Sequence, residues 1–346
     1  MRKIKLHWKK SLLLFIPLVL ITNLFVGCTT EEKSTIKFGD RQWESVWINN
    51  AIAQFIVEKG YGYPTETIEI STAAMQVSLP KGELHVDIEL WKDNIITWFN
   101  EEVEKGNIEE IGMIFEDAPQ FFMIPKWVHE EYNINTVDDM KDHWELFKDP
   151  EDPTKGYFIN CMQGWQCADV NDIKMEAYGL KKYYNVITPG TSGAEDAAIV
   201  GPAKKHEPIF AYYWAPTAIM GMFDWYILEE PEFDEDVWLE ILAAVDDPSL
   251  RPLDAACGYK RQDITKGIWS GLRNLAPDVV EMLEKMVVGL QPLNRTAAWC
   301  NENEIQDYEK AAVWYLREYE SRWKTWVTAN AYDKITQSLD NYGPLP

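Results

Sequence analysis

Histidine and cysteine are scarce, with five of each in 346 residues. Beyond His7 the histidines are His85, His129, His143 and His206, and no two stand at the i, i+4 spacing by which one helix face presents a metal. Too few remain to argue a Ser-His-acid set. Positive charge is also short: 33 Lys and Arg face 56 Asp and Glu, a formal net charge of −23. Such a chain repels nucleic acid and anionic lipid headgroups. No Gly-Lys-Ser/Thr occurs, so the glycine-rich "TPGTSGAED" (188–196) is no phosphate loop and reads as a turn capping a helix. Internal repeats and low-complexity tracts are missing, and after residue 26 no apolar run is long enough to span a bilayer.

The front of the chain differs in kind. Arg2, Lys3, Lys5, Lys9 and Lys10 precede an apolar run from Leu12 to Val26, the pattern of a secretory signal. It ends in Phe25-Val26-Gly27-Cys28, which resembles a bacterial lipobox, with Phe25 where leucine is usual. The expectation is a signal peptide over 1–28 with Cys28 lipidated, then a polar tether over 29–35. Without residues 1–27, five positive charges go and the net charge becomes −28.

The remainder of the chain fits two domains of ordinary size. Strands "TIKFG", "TIEIS" and "VDIEL" alternate with helical patterns, the first running from about Trp43 to Lys59 and stopped by Gly60 and Gly62. This rhythm predicts βα crossovers and a mainly parallel sheet. A second α/β region starts near Phe121 and the chain returns to the first between Cys257 and Asp263. The predicted division is lobe I over 36–120 plus 263–346 and lobe II over 121–262. Two connecting segments make a hinge, and the cleft between lobes is the natural ligand site.

Tryptophan and tyrosine are abundant, 16 each. That is more than core packing needs, so some should line a site. "DIELWKDN" puts Trp91 just past a strand and "IFAYYWAPT" does the same for Trp214. The carboxyl ends of strands in open α/β sheets face the ligand crevice. In "CMQGWQC" (161–167) Trp165 sits between two cysteines. Cys-x5-Cys is not the spacing of zinc ribbons or thiol oxidoreductases, and an exported chain favours pairing. Spacing favours Cys161 with Cys167, and Cys257 with Cys300 follows by elimination. Three indoles around one point suit a quaternary ammonium, and the amides of Gln166 and Cys167 suit a carboxylate. Asp87 and Glu89, two apart on one strand face, are placed as the catalytic carboxylates of secreted glycosidases sometimes are. In so acidic a chain they read more simply as solvated or helix-capping acids, and the run "EEPEFDED" reads as a solvated loop.

"CMQGWQC" followed by a helix, "PIFAYYWAPT", and a tryptophan ending the third strand together resemble the glycine betaine and proline betaine binding proteins of osmoprotectant ABC importers. The resemblance spans about Ile36 to Ile335. It implies an α/β, two-lobed type II periplasmic-binding-protein fold with a hinge and an interdomain ligand cleft. By motif match it implies that Trp91, Trp165 and Trp214 cage the trimethylammonium group, that the Gln166 and Cys167 amides hold the carboxylate, and that Cys161 and Cys167 form the family's disulfide. Members with this cysteine loop carry a carboxylate-binding histidine shortly after the first cage tryptophan. Here the stretch is "WKDNIITW", and Lys92 or Arg41 is the candidate replacement. The expected role is a lipid-anchored extracytoplasmic binding protein working with ABC permease and ATPase subunits, with no enzyme activity, cofactor, metal or nucleic-acid partner. The alternatives are a choline, carnitine or other zwitterion binder, a sensing surface lipoprotein, and a secreted glycosidase.

Overall fold

The computed structural model describes residues 33–346, so the apolar leader and Cys28 lie outside the described residues. Among the described residues no helix is long and apolar enough to cross a membrane.

Among the described residues ten strands form two five-stranded sheets. The first contains β1 (Ile36–Asp40), β2 (Thr65–Glu69), β3 (Val86–Leu90), β4 (Ile108–Ala118) and β10 (Gln262–Trp269) in the order β2-β1-β3-β10-β4. The second contains β5 (Gln120–Pro125), β6 (Gly156–Ile159), β7 (Tyr184–Ile187), β8 (Ala211–Trp214) and β9 (Trp225–Ile227) in the order β7-β6-β8-β5-β9. β1 is parallel to β2 and β3, and β6 to β7 and β8. One strand in each sheet runs against its neighbours: β10 against β3 and β4, and β5 against β8 and β9.

The reversal has a topological cause. β4 ends at the carboxyl edge of the first sheet, and after Pro119 the chain enters the second sheet as β5, also at its carboxyl edge. A strand entering from that side must run backwards. β10 does the same on the return, and Gln262 at its start lies opposite Ala118 at the end of β4. Both connecting segments therefore lie side by side, and the carboxyl edges of the two sheets face one crevice.

Local sequence explains the elements that frame it. β3 is buried at all five positions, as a strand covered on both faces must be. The polar β2 forms the edge of its sheet. The first helix, Glu44–Phe55, runs on through a wider turn, Ile56–Tyr61, and stops at Gly62, whose φ of 74° places it in the left-handed region.

Three expectations need correction. Cys257 and Cys300 are not paired; both are buried free thiols. Cys257 packs with Val170, Ile173 and Trp238 in a satellite cluster, whereas Cys300 lies on the helix Leu290–Glu302 in the main core. Each serves as a small apolar side chain, which an even cysteine count does not reveal. The acidic run "EEPEFDED" is not wholly solvated: Glu230 takes an ion pair from the fully buried Lys174 at 2.6 Å and a hydrogen bond from the Tyr178 hydroxyl at 3.0 Å. Finally, Asp87 and Glu89 are fully buried rather than solvated.

Candidate functional site

A cavity between the sheets is lined from strand ends on both sides. Lobe I contributes Arg41 and Trp43 after β1, Thr72 after β2, and Trp91, Asn94 and Ile95 after β3. The second sheet contributes Gln120 at the start of β5, the segment Trp165 to Cys167 after β6, and Tyr212 and Trp214 at the end of β8. Trp91, Trp165 and Trp214 thus converge, as do Gln166, Cys167 and Arg41. Lys92 does not line the cavity. Its ammonium is bound to the Glu110 carboxylate at 2.6 Å, because the short turn Lys92–Ile95 directs residue 92 outward and residue 95 inward.

Trp165 is the centre of the aromatic wall. Its ring meets Trp43 edge-on at 5.3 Å on one side and Trp214 edge-on at 5.3 Å on the other. Its Nε1 donates to the Arg41 carbonyl at 2.8 Å, joining the two lobes. A second link is backbone to backbone, from the Thr72 amide to the Gly164 carbonyl at 3.0 Å. Gly164 has φ 94°, a conformation that favours glycine and delivers Trp165 to the crevice.

The cysteine loop is closed by a Cys161–Cys167 disulfide with the Cα atoms 5.9 Å apart. Asn160 ties it down further, accepting from the Cys161 amide at 2.8 Å and donating to the Ala168 carbonyl at 3.0 Å. Trp165 is the N-cap of the helix Gln166–Ala177, and its side chain makes no capping bond. The first amides of that helix have no intrahelical acceptor and lie at the positive end of its dipole. Because Gln166 and Cys167 line the cavity, a carboxylate there meets free N–H groups.

Arg41 adds a fixed positive charge. It is 5% exposed, donates to Asp87 at 2.9 Å and to the Thr72 hydroxyl at 2.6 Å, and its Nε has no partner among the described residues. Burial raises the Asp87 pKa, and Arg41 acts against that by favouring the carboxylate. Glu89 has a different partner set: Trp43 Nε1 at 2.7 Å, Asn49 at 2.7 Å and Ser45 at 3.0 Å. Burial pushes its pKa up to about 7 against these hydrogen bonds. The acid pair of β3 therefore holds Arg41 and Trp43 in place and does not itself line the cavity.

The sequence reading missed Trp43, Thr72, Asn94, Ile95, Gln120 and Tyr212. Trp43 follows β1 as Trp91 follows β3, so the strand-end rule would have found it. Ile95 stands four residues after Trp91, in the region where a histidine was sought, and brings no polar atom. Of the other signals, Thr191 caps the helix Ser192–Lys204 by accepting from the Ala194 amide, so "TPGTSGAED" is a helix cap. Among the described residues no group of three or more His, Cys, Asp or Glu is placed to hold a metal.

Known proteins share this architecture. A family model described as the substrate binding domain of ABC-type glycine betaine transport systems matches residues 34–318. A glycine betaine/proline betaine-binding periplasmic protein of Salmonella typhimurium is 29% identical over 107 residues, which is 30% of this chain. The match spans about a third, 32%, of that curated relative. A solved glycine betaine, L-proline ABC transporter binding protein from Borrelia burgdorferi superposes with a TM-score of 0.68 at 17% identity, covering 87% of this chain and 99% of that one. An ABC-transporter choline binding protein in complex with choline gives 0.69 at 19% identity, covering 88% and 98%. At such identities these likenesses establish the two-lobed fold.

Proposed function

We propose, on the premise that this chain belongs to the family of substrate binding domains of ABC-type glycine betaine transport systems, that it captures a zwitterionic quaternary ammonium compound of the glycine betaine class and delivers it to an ABC permease. Trp43, Trp91, Trp165 and Trp214 receive the trimethylammonium group. The Gln166 and Cys167 amides and Arg41 receive the carboxylate, and Lys92 takes no part. The two lobes, 36–120 plus 263–346 and 121–262, close on the ligand by rotation about the connecting segments. Closure is the functional step, with no bond made or broken and no cofactor. Cys28 carries the lipid that keeps the protein on the outer face of the membrane, near its permease and ATPase.

The observation that carries this reading is the charge of the cavity wall: an arginine and a helix N-terminus line it, and among the described residues no Asp or Glu does. Arg41 is already balanced by Asp87, so no negative charge is left over for a ligand with net charge +1. Burying such a cation unpaired costs several kcal/mol. A betaine brings its own carboxylate and escapes that cost. The indole faces supply roughly 0.5–2 kcal/mol each, and the carboxylate contacts must supply much of the rest of the roughly 8 kcal/mol that micromolar affinity requires.

A thermal-shift panel tests this. At a ligand concentration about 100-fold above Kd, binding stabilises by about 2.7 kcal/mol, so glycine betaine and proline betaine raise the unfolding midpoint by several degrees while choline at equal concentration does far less. A larger shift with choline would overturn the carboxylate assignment. Anchoring is tested by labelling cells with a palmitate analogue: the label is incorporated by the wild type and lost in Cys28→Ala.

A further inference from the structure

The turn after Trp91 is held by the first residue of each crossing strand and by a helix of lobe II. Its Asp93 amide donates to Gln262 Oε1 at 3.1 Å, and its Asp93 carbonyl accepts from Trp238 Nε1 of the lobe II helix Glu235–Asp246 at 2.8 Å. The next residue, Asn94, exchanges two hydrogen bonds with Gln120, both at 3.1 Å, and its own amide donates to the Trp91 carbonyl at 3.2 Å. Gln120 Oε1 also accepts from the Tyr212 hydroxyl at 2.8 Å. Gln120 opens β5 and Gln262 opens β10, so each lies where the chain crosses between the lobes. Asn94, Gln120 and Gln262 are all buried.

Packing alone does not require amides here. An apolar side chain of similar volume fills the same space at less desolvation cost, most plainly at Gln262, whose Nε2 has no partner among the described residues. These amides fix direction, and they fix it between the connecting segments and the turn carrying Trp91. We propose that Gln120 and Gln262 are positioning residues that set the Trp91 indole according to the angle between the lobes. When lobe II rotates away, the Trp238 attachment and the crossing residue Gln120 shift the Asp93–Asn94 turn and withdraw Trp91 from the cavity. On closure they return it. Trp91 Nε1 has no partner among the described residues, so no hydrogen bond of the ring competes with this control.

The inference rests on the cage reading, and the test separates the two. Glycine betaine affinity is measured by calorimetry for Gln120→Met and Gln262→Met, each in the wild-type and the Trp91→Ala background. Residues that act through a third show non-additive losses. The expected result is a loss of about tenfold for each glutamine variant alone and less than about twofold further loss once Trp91 is alanine. Full losses in both backgrounds, or unchanged affinity in the single variants, would overturn the positioning role while leaving the cage intact. Wild-type affinity in Trp91→Ala alone would overturn the cage and the positioning role together. Should Gln120→Met not fold, Gln262→Met, which removes a single hydrogen bond, carries the same cycle.

Discussion

Replacing Trp165 by alanine removes three contributions to the closed, loaded state. The first is one indole face toward the cation, about 1 kcal/mol or more in a desolvated site. The second is the bond from Nε1 to the Arg41 carbonyl at 2.8 Å, about 1 kcal/mol net. The third is the edge contact with Trp43, about 0.5–1.5 kcal/mol beyond area burial. The contact with Trp214 lies within lobe II and is present in open and closed forms alike, so it does not enter the binding balance. The sum is about 3 kcal/mol, roughly a hundredfold in Kd. Trp165→Phe keeps a ring and loses the interlobe hydrogen bond, for a loss of about fivefold. Calorimetric titration with glycine betaine measures both, alongside thermal unfolding to establish that the variants are folded. Trp165→Ala within threefold of wild type would refute the cage and the interlobe link together.

Other parts of the structure carry predictions of their own. Replacing Cys161 and Cys167 by serine opens the loop and lowers stability by about 2–3 kcal/mol; an unchanged unfolding midpoint would contradict a structural role for the disulfide. Titration of thiols after denaturation without reductant finds two, Cys257 and Cys300, in protein begun after Cys28; none would contradict the assignment of both as free. Burial pushes Glu89 from its ordinary 4.5 up to about 7, and burial with the Asp196 charge does the same for Glu44. In these two groups the folded protein holds protons that the unfolded chain releases, so the stability they contribute falls as pH rises from about 4.5 through about 7. Glu89→Gln, a neutral isostere, makes the fall between pH 5 and 7.5 smaller, and an equal fall would contradict the assignment.

Which features the sequence revealed has a physical pattern. Strand ends and helix starts are local, so Trp91, Trp214 and the cysteine loop were legible from a few residues each. Trp43 was hidden because its hydrophobicity fits the first helix, where periodicity claimed it before the strand-end rule was applied. Lys92 was favoured by adjacency to Trp91, yet adjacency in sequence does not give direction; one short helical turn sends Lys92 to Glu110 and Ile95 into the cavity. Arg41 lies 46 residues from its partner Asp87. Only the parallel pairing of β1 and β3 brings them together. Gln120 and Gln262 carry no local signal, because their role arises where two distant crossings lie side by side. The parallel runs β2-β1-β3 and β7-β6-β8 were readable from the alternation of strands and helices, but the expectation of a mainly parallel sheet was not met, because both sheets are mixed. The reversed β5 and β10 follow from the crossing itself, which periodicity does not encode.

The central claim is that the cavity takes a carboxylated quaternary ammonium compound, and the most direct measurement is a calorimetric titration of the chain from Thr29 onward with glycine betaine and choline in parallel. The account predicts saturable one-site binding of the betaine, micromolar or tighter, with choline at least tenfold weaker. Binding of choline alone, or no heat with any quaternary ammonium compound, would contradict it.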